Sequence, residues 1–407
     1  MTSITQLLTK TIEHKREEID AWFSKTFAHT PPFFYSSVDI RHSGHKMAPV
    51  DTNLFPGGFN NLNDTERKTA SHAVSHYIKS HHPNLKSILV IAENHTRNAY
   101  YFENIVVLRD IITNAGLQVH LSSFDMVDAA ESLNYQSASG TELTLEPFVN
   151  DGSKLVLHNG IVPDLIIINN DMTEGHPNIL DNISQPITPP TGFGWYQRRK
   201  TSHFDSYNEL AKDLCRHIDI DPWLISTHFS RCGKLNFKEQ TGIECIARNV
   251  DKVIHLIGKK YDEYGIQEDP YVFIKSDQGT YGMGIMTAKS GSDVLSLNKN
   301  TRKKMNAIKG GTTNTEVIIQ EGIPTIDTVE GNPAEPMLYV IGHEPVGCMY
   351  RVNTKQDHFG NLNSTGMTFT SVAYHHSNNQ FCQSLGLVAK LASYAAAWEC
   401  YAADYSI

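Results

Sequence analysis

The sequence predicts an α/β protein whose N-terminal half carries a doubly wound unit. Two observations carry this. An apolar run over 87–92, a helical pattern over 99–115 closed by Gly116 and a second run over 118–122 make a strand–helix–strand unit. A further apolar run over 163–171 ends in polar residues, and open parallel sheets bind ligands at that end of their strands. Residues 85–185 therefore read as doubly wound. Past about 205 the pattern changes to helices over 205–219 and 239–264, short strands over 270–355 and an alanine-rich helix from Leu385 to about Ala403. The expected division is 1–204 and 205–407.

The remaining elements follow from spacing. Ile4, Leu7, Leu8, Ile12, Ile19, Trp22 and Phe23 recur at helical intervals, which predicts a helix over about the first thirty residues. The stretch from Asp39 to Asn63, rich in Pro, Gly and Asn, is expected to be a long functional loop. A helix capped by Asp64 then runs to about His81, and a hairpin falls near 141–158.

The chain has 407 residues, 40% of them hydrophobic and 19% charged, which excludes disorder as the dominant state. A net charge of −9 argues against a general nucleic-acid binder. No apolar run is long enough to cross a bilayer and no signal-peptide core is present, so a cytoplasmic protein without a membrane partner is expected. A homo-oligomer stays open. The six cysteines show no C-x-x-C pair or zinc-ribbon spacing and are expected in the core, while the adjacent pairs His81-His82 and His375-His376 are expected at the surface.

The most informative segment is 271–286. It reads as a strand ending in Lys275, a loop punctuated by Gly279, Gly282 and Gly284, and a second strand. Glycines let backbone N–H groups approach phosphate oxygens, and the lysine adds a fixed charge. It is neither a Walker A loop nor a dinucleotide-binding fingerprint, and the plain alternative is a glycine-rich hairpin.

Gln320-Glu321-Gly322-Ile323 ends a later strand, and a hairpin leads through Gly342-His343-Glu344 to Arg351 and Gly360-Asn361-Leu362. This order of parts resembles the ATP-grasp superfamily over roughly 270–370. The resemblance implies an ATP-grasp-like catalytic half, with Lys275, Gly279 and Gly282 over the phosphates and Gln320, Glu321, Gly322 and Ile323 around adenine. It also implies Arg351 and Asn361 at the phosphate and acyl-phosphate site, and Lys238 as a second nucleotide-binding cation or else a surface lysine.

A narrower resemblance rests on Asp39-Ile40-Arg41, the run from Lys46 to Pro56, Gly58 to Leu62, Gly194 to Lys200, and Asn361-Leu362-Asn363. It is to the proteobacterial glutamate–cysteine ligase family. That family implies γ-glutamylcysteine synthesis from glutamate and cysteine with ATP and Mg²⁺, the first step of glutathione formation. Residues 1–204 would then bind substrate and 205–407 the nucleotide.

The residues suit such chemistry. Phosphoryl transfer to a carboxylate needs positive charge around the γ-phosphate, and the acyl phosphate must be kept from water. Glutamate presents a carboxylate and an ammonium that want an arginine fork and an acidic or amide partner. Arg41, Lys46, Asp51, Asn53, Asn60 and Asn61 offer these within about twenty residues, Arg198, Arg199 and Lys200 offer more cations, and Asn363 a further amide. The plain alternatives are an Asx-turn-rich surface segment and a solvated charge run.

The expected metal pattern departs from the superfamily: no Glu-x-Asn follows Asn363, and Glu330, Glu335 and Asn361 are the candidate ligands. Two other readings stay open: a different ATP-grasp carboxylate–amine ligase, which amino-acid specificity would separate, and a nucleotide-sensing module without catalysis, which that gap supports.

Overall fold

The structure, a computed structural model, describes residues 3–94, 98–279, 284–306, 314–372 and 380–402. Gly282, His375 and His376 lie outside the described residues. The N-terminal pattern folds as two helices, α1 (Ile4–His14) and α2 (Arg16–Thr26), because Lys15 leaves helical geometry between them. Each helix buries its own apolar residues, Ile4 and Leu8 on one and Ile19, Trp22 and Phe23 on the other.

The expected loop of 39–63 is largely sheet. β1 (Tyr35–His42) and β2 (Met47–Asn53) pair antiparallel before α3 (Asp64–His81) begins. The cap of α3 is Asn63, one residue earlier than expected. Its side chain accepts from Thr65 N and Glu66 N at 3.0 Å, and the Glu66 carboxylate in turn accepts from Asn63 N.

β3 (Ser87–Ala92), α4 (Ala99–Asn114) and β4 (Gln118–Ser123) form the expected unit. The return to β9 (Leu165–Asn169) and β10 (Ile187–Thr188) runs through two hairpins: β5 (Leu133–Gln136) with β6 (Glu142–Leu145), and β7 (Phe148–Asn150) with β8 (Leu155–Leu157). The unit is thus wound by a helix on one crossover only. In β6 the burial alternates strictly, Leu143 and Leu145 in and Glu142 and Thr144 out, a period of two that no helix can use. The sheet itself is parallel, in the order β10-β9-β3-β4.

A second sheet, antiparallel in the order β11-β14-β12-β13, comprises β11 (Phe229–Gly233), β12 (Val272–Ser276), β13 (Met286–Ala288) and β14 (Glu316–Glu321). α5 (Lys200–Ile218) precedes it. α6 (Ile243–Tyr264) packs on it, and the short α7 (Gly291–Leu295) and α8 (Lys299–Asn306) follow β13. The chain ends in β15 (Thr328–Val329), β16 (Asn332–Ile341), β17 (Glu344–Asn353), β18 (Met367–Val372) and α9 (Gln380–Ala402).

The central sheet runs β18-β17-β16-β1-β2, with β15 on β16. Strands from both sides of the 204/205 division therefore share one sheet. Its two faces bury two cores. Val38, Ile40, Leu338, Val340 and Cys348 face one, with α1, α5, α6 and α9; Met337, Tyr339, Ile341 and Met349 face the other, with α3, α4 and the parallel sheet. Leu385, Val388 and Leu391 of α9 are fully buried, each contributing about 1.5–3 kcal/mol. No helix of the described residues is long and apolar enough to cross a membrane.

Candidate active site

Period-two alternation on the central sheet places a polar row between the cores. On β1, Val38 and Ile40 enter the core while Ser37, Asp39 and Arg41 face the other way. On β16, Glu335 and Met337 share that face, as does Arg351 on β17. Register then brings these residues together: Asp39 lies opposite Met337 and Asp51, and Glu335 lies opposite Arg351. They line a cavity of about 410 Å³.

The charges in this wall are closely paired. Arg351 donates to Asp39 at 2.6 and 3.2 Å and to Glu335 at 2.6 Å. Arg41 Nε donates to Glu335 at 2.5 Å, and its Nη2 donates to the Gly360 carbonyl at 2.7 Å. Burial alone would raise the Glu335 carboxyl, but the guanidiniums of Arg41 and Arg351 hold it below the ordinary value.

A second wall comes from the carboxyl ends of β3 and β9, where Glu93, Asn169 and Asp171 meet Asn98 and Tyr101 at the start of α4. The Tyr101 hydroxyl donates to Asn169 and accepts from Glu93 N at 2.7 Å, fixing this edge.

The third wall joins Trp195 and Lys200 to Lys275 and Gly279. The first turn of α5 is held to the end of β12 by Asp277, whose carboxylate accepts from Thr201 N at 2.8 Å and Thr201 Oγ1 at 2.7 Å. That anchor sets Lys200 Nζ 2.6 Å from Asp51. Burial would raise Asp51, yet Lys200 and Lys275 bring it down to about 2. Lys275 Nζ donates to Gln320 at 2.9 Å and to the Val50 carbonyl at 3.3 Å, and burial lowers its own value to about 8. A Cβ at Gly279 would lie 2.3 Å from the Trp195 ring, so only glycine lets the loop pass there.

Of the residues singled out from sequence, Arg41, Asp51, Asn53, Lys275, Gly279, Glu335, Arg351, Asn361 and Asn363 meet at the cavity. Others do not line it. Lys46 and Glu321 are buried and bonded to each other at 2.7 Å. Gln320 supports Lys275 from behind. The backbone N–H groups of Glu321 and Gly322 donate to the carbonyls of His228 and Tyr271, and Ile323 is core. Arg198 is held by Glu399 and the Thr52 carbonyl, and Arg199 by Glu316 at 2.5 Å. Asn60 and Asn61 close the turn before α3, their groups bonded to Arg67 and Gly58. Lys238 is exposed in the turn after β11.

The expected magnesium ligands do not fit a resident ion. Glu330 is exposed at the β15–β16 turn, Glu335 is held between two guanidiniums, and the Asn361 amide closes a turn on Asn363. Among the described residues, no group of three His, Cys, Asp or Glu could hold a metal.

Lys200, the last of the Arg198-Arg199-Lys200 cluster, lines the cavity, and so do residues not singled out as site candidates, among them Asp39, Glu93, Asp171 and Trp195. The signal for Glu93 and Asp171 was their place at the ends of apolar strand runs. For Asp39 it was the polar–apolar alternation along 37–41.

The family described as GshA, glutamate-cysteine ligase, matches residues 9–400. This chain belongs to the glutamate–cysteine ligase family. The ligase is also similar, over 99% of its length and 97% of the other chain, to a Methylobacillus flagellatus KT protein whose structure is named as a candidate gamma-glutamylcysteine synthetase. Identity is 37% and the TM-score 0.90. Two remoter structures are a glutathione synthetase-like effector of Globodera pallida (9% identity, 90% and 80% coverage, TM-score 0.37) and the D-alanyl-alanine synthetase A of Vibrio cholerae (11%, 75% and 79%, 0.34). At those scores neither bears on the fold. No curated protein matches the sequence. The ligase is thus an enzyme of glutathione biosynthesis, and its family implies the use of ATP, with the α/β class and family resemblance read from the sequence both upheld.

Proposed function

We propose that this ligase activates glutamate through a γ-glutamyl phosphate and that the cavity between the three walls is where it does so. The observation that carries the reading is the convergence of Arg41, Lys200, Lys275 and Arg351 on one cavity that also presents Asp39, Asp51 and Asn53. Such a set suits a polyphosphate beside a zwitterion: cations meet the phosphates and the α-carboxylate, and carboxylates and amides meet the ammonium.

In this reading a γ-carboxylate oxygen of glutamate attacks the γ-phosphorus of ATP and ADP leaves. The cysteine amine then attacks the acyl carbon, the C–O bond to phosphate breaks, and the amine sheds its proton. Lys275 neutralises charge on the transferring phosphoryl group, with Arg351 behind it. Asp51 and Gln320 hold Lys200 and Lys275 in place. Trp195 and Phe273 keep the cavity's apolar wall, which disfavours water as a competing nucleophile. Magnesium enters as the counter-ion of ATP, part of the substrate, since a nucleotide brings most of its own oxygen ligands.

The test is phosphate release from Mg-ATP with glutamate alone, cysteine alone and both. Release that requires both, with γ-glutamylcysteine detected by mass, is expected. Release with glutamate and a different amine, but not cysteine, overturns the substrate pair; no release with any pair overturns catalysis.

A further inference from the structure

Away from the cavity, β11 and the first turn of α6 bring two thiols together. The sulfurs of Cys232 and Cys245, thirteen residues apart in sequence, lie 3.0 Å from one another. Neither residue lines the cavity. Because β11 pairs with β14, and β14 with the Lys275 strand, Cys232 belongs to the same sheet as the lysine: Cys232 faces Val317, and Ile318 faces Lys275.

Three features separate this pair from inert core cysteines. Asn249, one turn along α6, donates its amide to the Cys245 carbonyl at 2.9 Å and to Cys232 Sγ at 3.1 Å, with Cys245 Sγ at 3.5 Å. Its own oxygen is fixed by Ser230 Oγ at 2.6 Å. An amide donor shared by two sulfurs stabilises whichever carries negative charge. Cys245 also sits in the first turn of a helix of 22 residues, where the aligned peptide dipoles favour an anion. Finally, Cys245 is half-buried, whereas Cys232 is buried. Burial and the neighbouring thiol push Cys232 up to about 12, and its greater exposure makes Cys245 the sulfur that an incoming disulfide meets first.

We infer that Cys232 and Cys245 form a thiol–disulfide exchange site that accepts a low-molecular-weight disulfide. In the first step the Cys245 thiolate attacks one sulfur of the small disulfide. Its S–S bond breaks, and the departing thiolate takes up the proton Cys245 had shed. In the second step Cys232 attacks the Cys245 sulfur of the mixed disulfide. A Cys232–Cys245 bond forms, and the second small thiolate leaves with the Cys232 proton. Two protein thiols are oxidised and one small disulfide is reduced to two thiols. The cross-link ties the start of α6 to the outer strand of the sheet that carries Lys275. The inference stands apart from the role proposed for the cavity.

The reduced full-length protein, incubated with oxidised glutathione, quenched by alkylation and mapped by peptide mass, tests it. The peptides holding Cys232 and Cys245 are expected to convert to one joined species lacking two hydrogens, and reduced glutathione is expected to restore them. In Cys232→Ser the resolving thiol is gone, so a glutathionyl group should persist on Cys245. Asn249→Leu should slow the cross-linking at least several-fold. If wild-type Cys232 and Cys245 both remain alkylatable in oxidised glutathione, or if Cys245 joins a different cysteine, the inference is overturned. The wild-type map decides the matter even where a variant folds poorly.

Discussion

The Nζ of Lys46 lies 2.7 Å from Oε1 of Glu321, and both side chains are 1% exposed. The sequence reading placed these residues on different substrates, Lys46 on glutamate from its loop and Glu321 on adenine from the resemblance. Instead they bind each other across 275 residues of chain, joining the β1–β2 hairpin of the central sheet to the end of β14 in the second sheet. The rest of each group is also spoken for. Glu321 accepts from Trp223 Nε1 at 3.0 Å and from His228 N at 2.8 Å, and the Lys46 ammonium lies 4.1 Å from the centre of the Trp223 ring.

Removing one member of such a pair leaves a buried charge without its partner, which costs about 3–5 kcal/mol. Glu321→Ala is therefore expected to lower the urea midpoint sharply while leaving the KM for ATP of the folded fraction within about threefold, short of the roughly tenfold that 1.4 kcal/mol of lost binding would give. Normal stability with an ATP KM raised tens of fold would instead return Glu321 to the adenine.

Glu335 separates a structural role from a metal-binding one. It bridges Arg41 and Arg351, which are 3% and 6% exposed, so Glu335→Ala should destabilise by about 3–5 kcal/mol. Glu335→Gln keeps the volume and one acceptor. Its activity, titrated against magnesium at fixed ATP, should show an unchanged midpoint. A midpoint displaced by about tenfold or more, the scale of losses around metal ligands, would make Glu335 a ligand after all.

The parallel strands were legible because they are buried on both faces and read as unbroken apolar runs. β1 and β2 were not. One of their faces is the wall of the site, so their apolar residues alternate with Ser37, Asp39 and Arg41, while Gly44 and Pro49 look like loop punctuation. Cavity-lining residues were legible where they ended a strand, as Lys275 does. Residues that a long-range partner holds away from the cavity were not, as Glu399 holds Arg198 across 201 residues, since no local spacing announces such a pair.

Gly279 gives a test of the third wall. A methyl group there would meet the Trp195 ring, which also lies beneath the Lys200 ammonium at 4.8 Å. Gly279→Ala should displace the indole, at a cost of about 1–3 kcal/mol, and disturb Lys200 with it. The expected result is a shift in tryptophan emission together with a fall in kcat/KM of about tenfold, the effect of 1.4 kcal/mol on the barrier. Unchanged emission and kinetics would show that the ring and the loop part without consequence.

Lys275 carries the sharpest expectation, because its charge and its position are both required on the proposed reading. Burial is the main reason its value falls from 10.5 to about 8. Lys200 and Arg41 push the same way, and the carboxylates of Asp51 and Glu335 oppose them. The ammonium is the useful form, and free enzyme loses it as pH rises through about 8. Thus kcat/KM for ATP should be level below that value and fall about tenfold per pH unit above it, whereas an ordinary lysine would hold to about 10.4. Bound polyphosphate favours the charged form, so the limb in kcat should lie at higher pH than the limb in kcat/KM. Lys275→Arg, which stays protonated throughout, should abolish the limb while retaining part of the activity. Lys275→Ala should cut kcat by about 10²–10³, the scale of losing one charge-stabilising donor, with its unfolding midpoint little changed because the ammonium lines the cavity and does not pack in either core. An alkaline limb that survives in Lys275→Arg would assign it to another group; full turnover in Lys275→Ala would remove the lysine from the chemistry altogether.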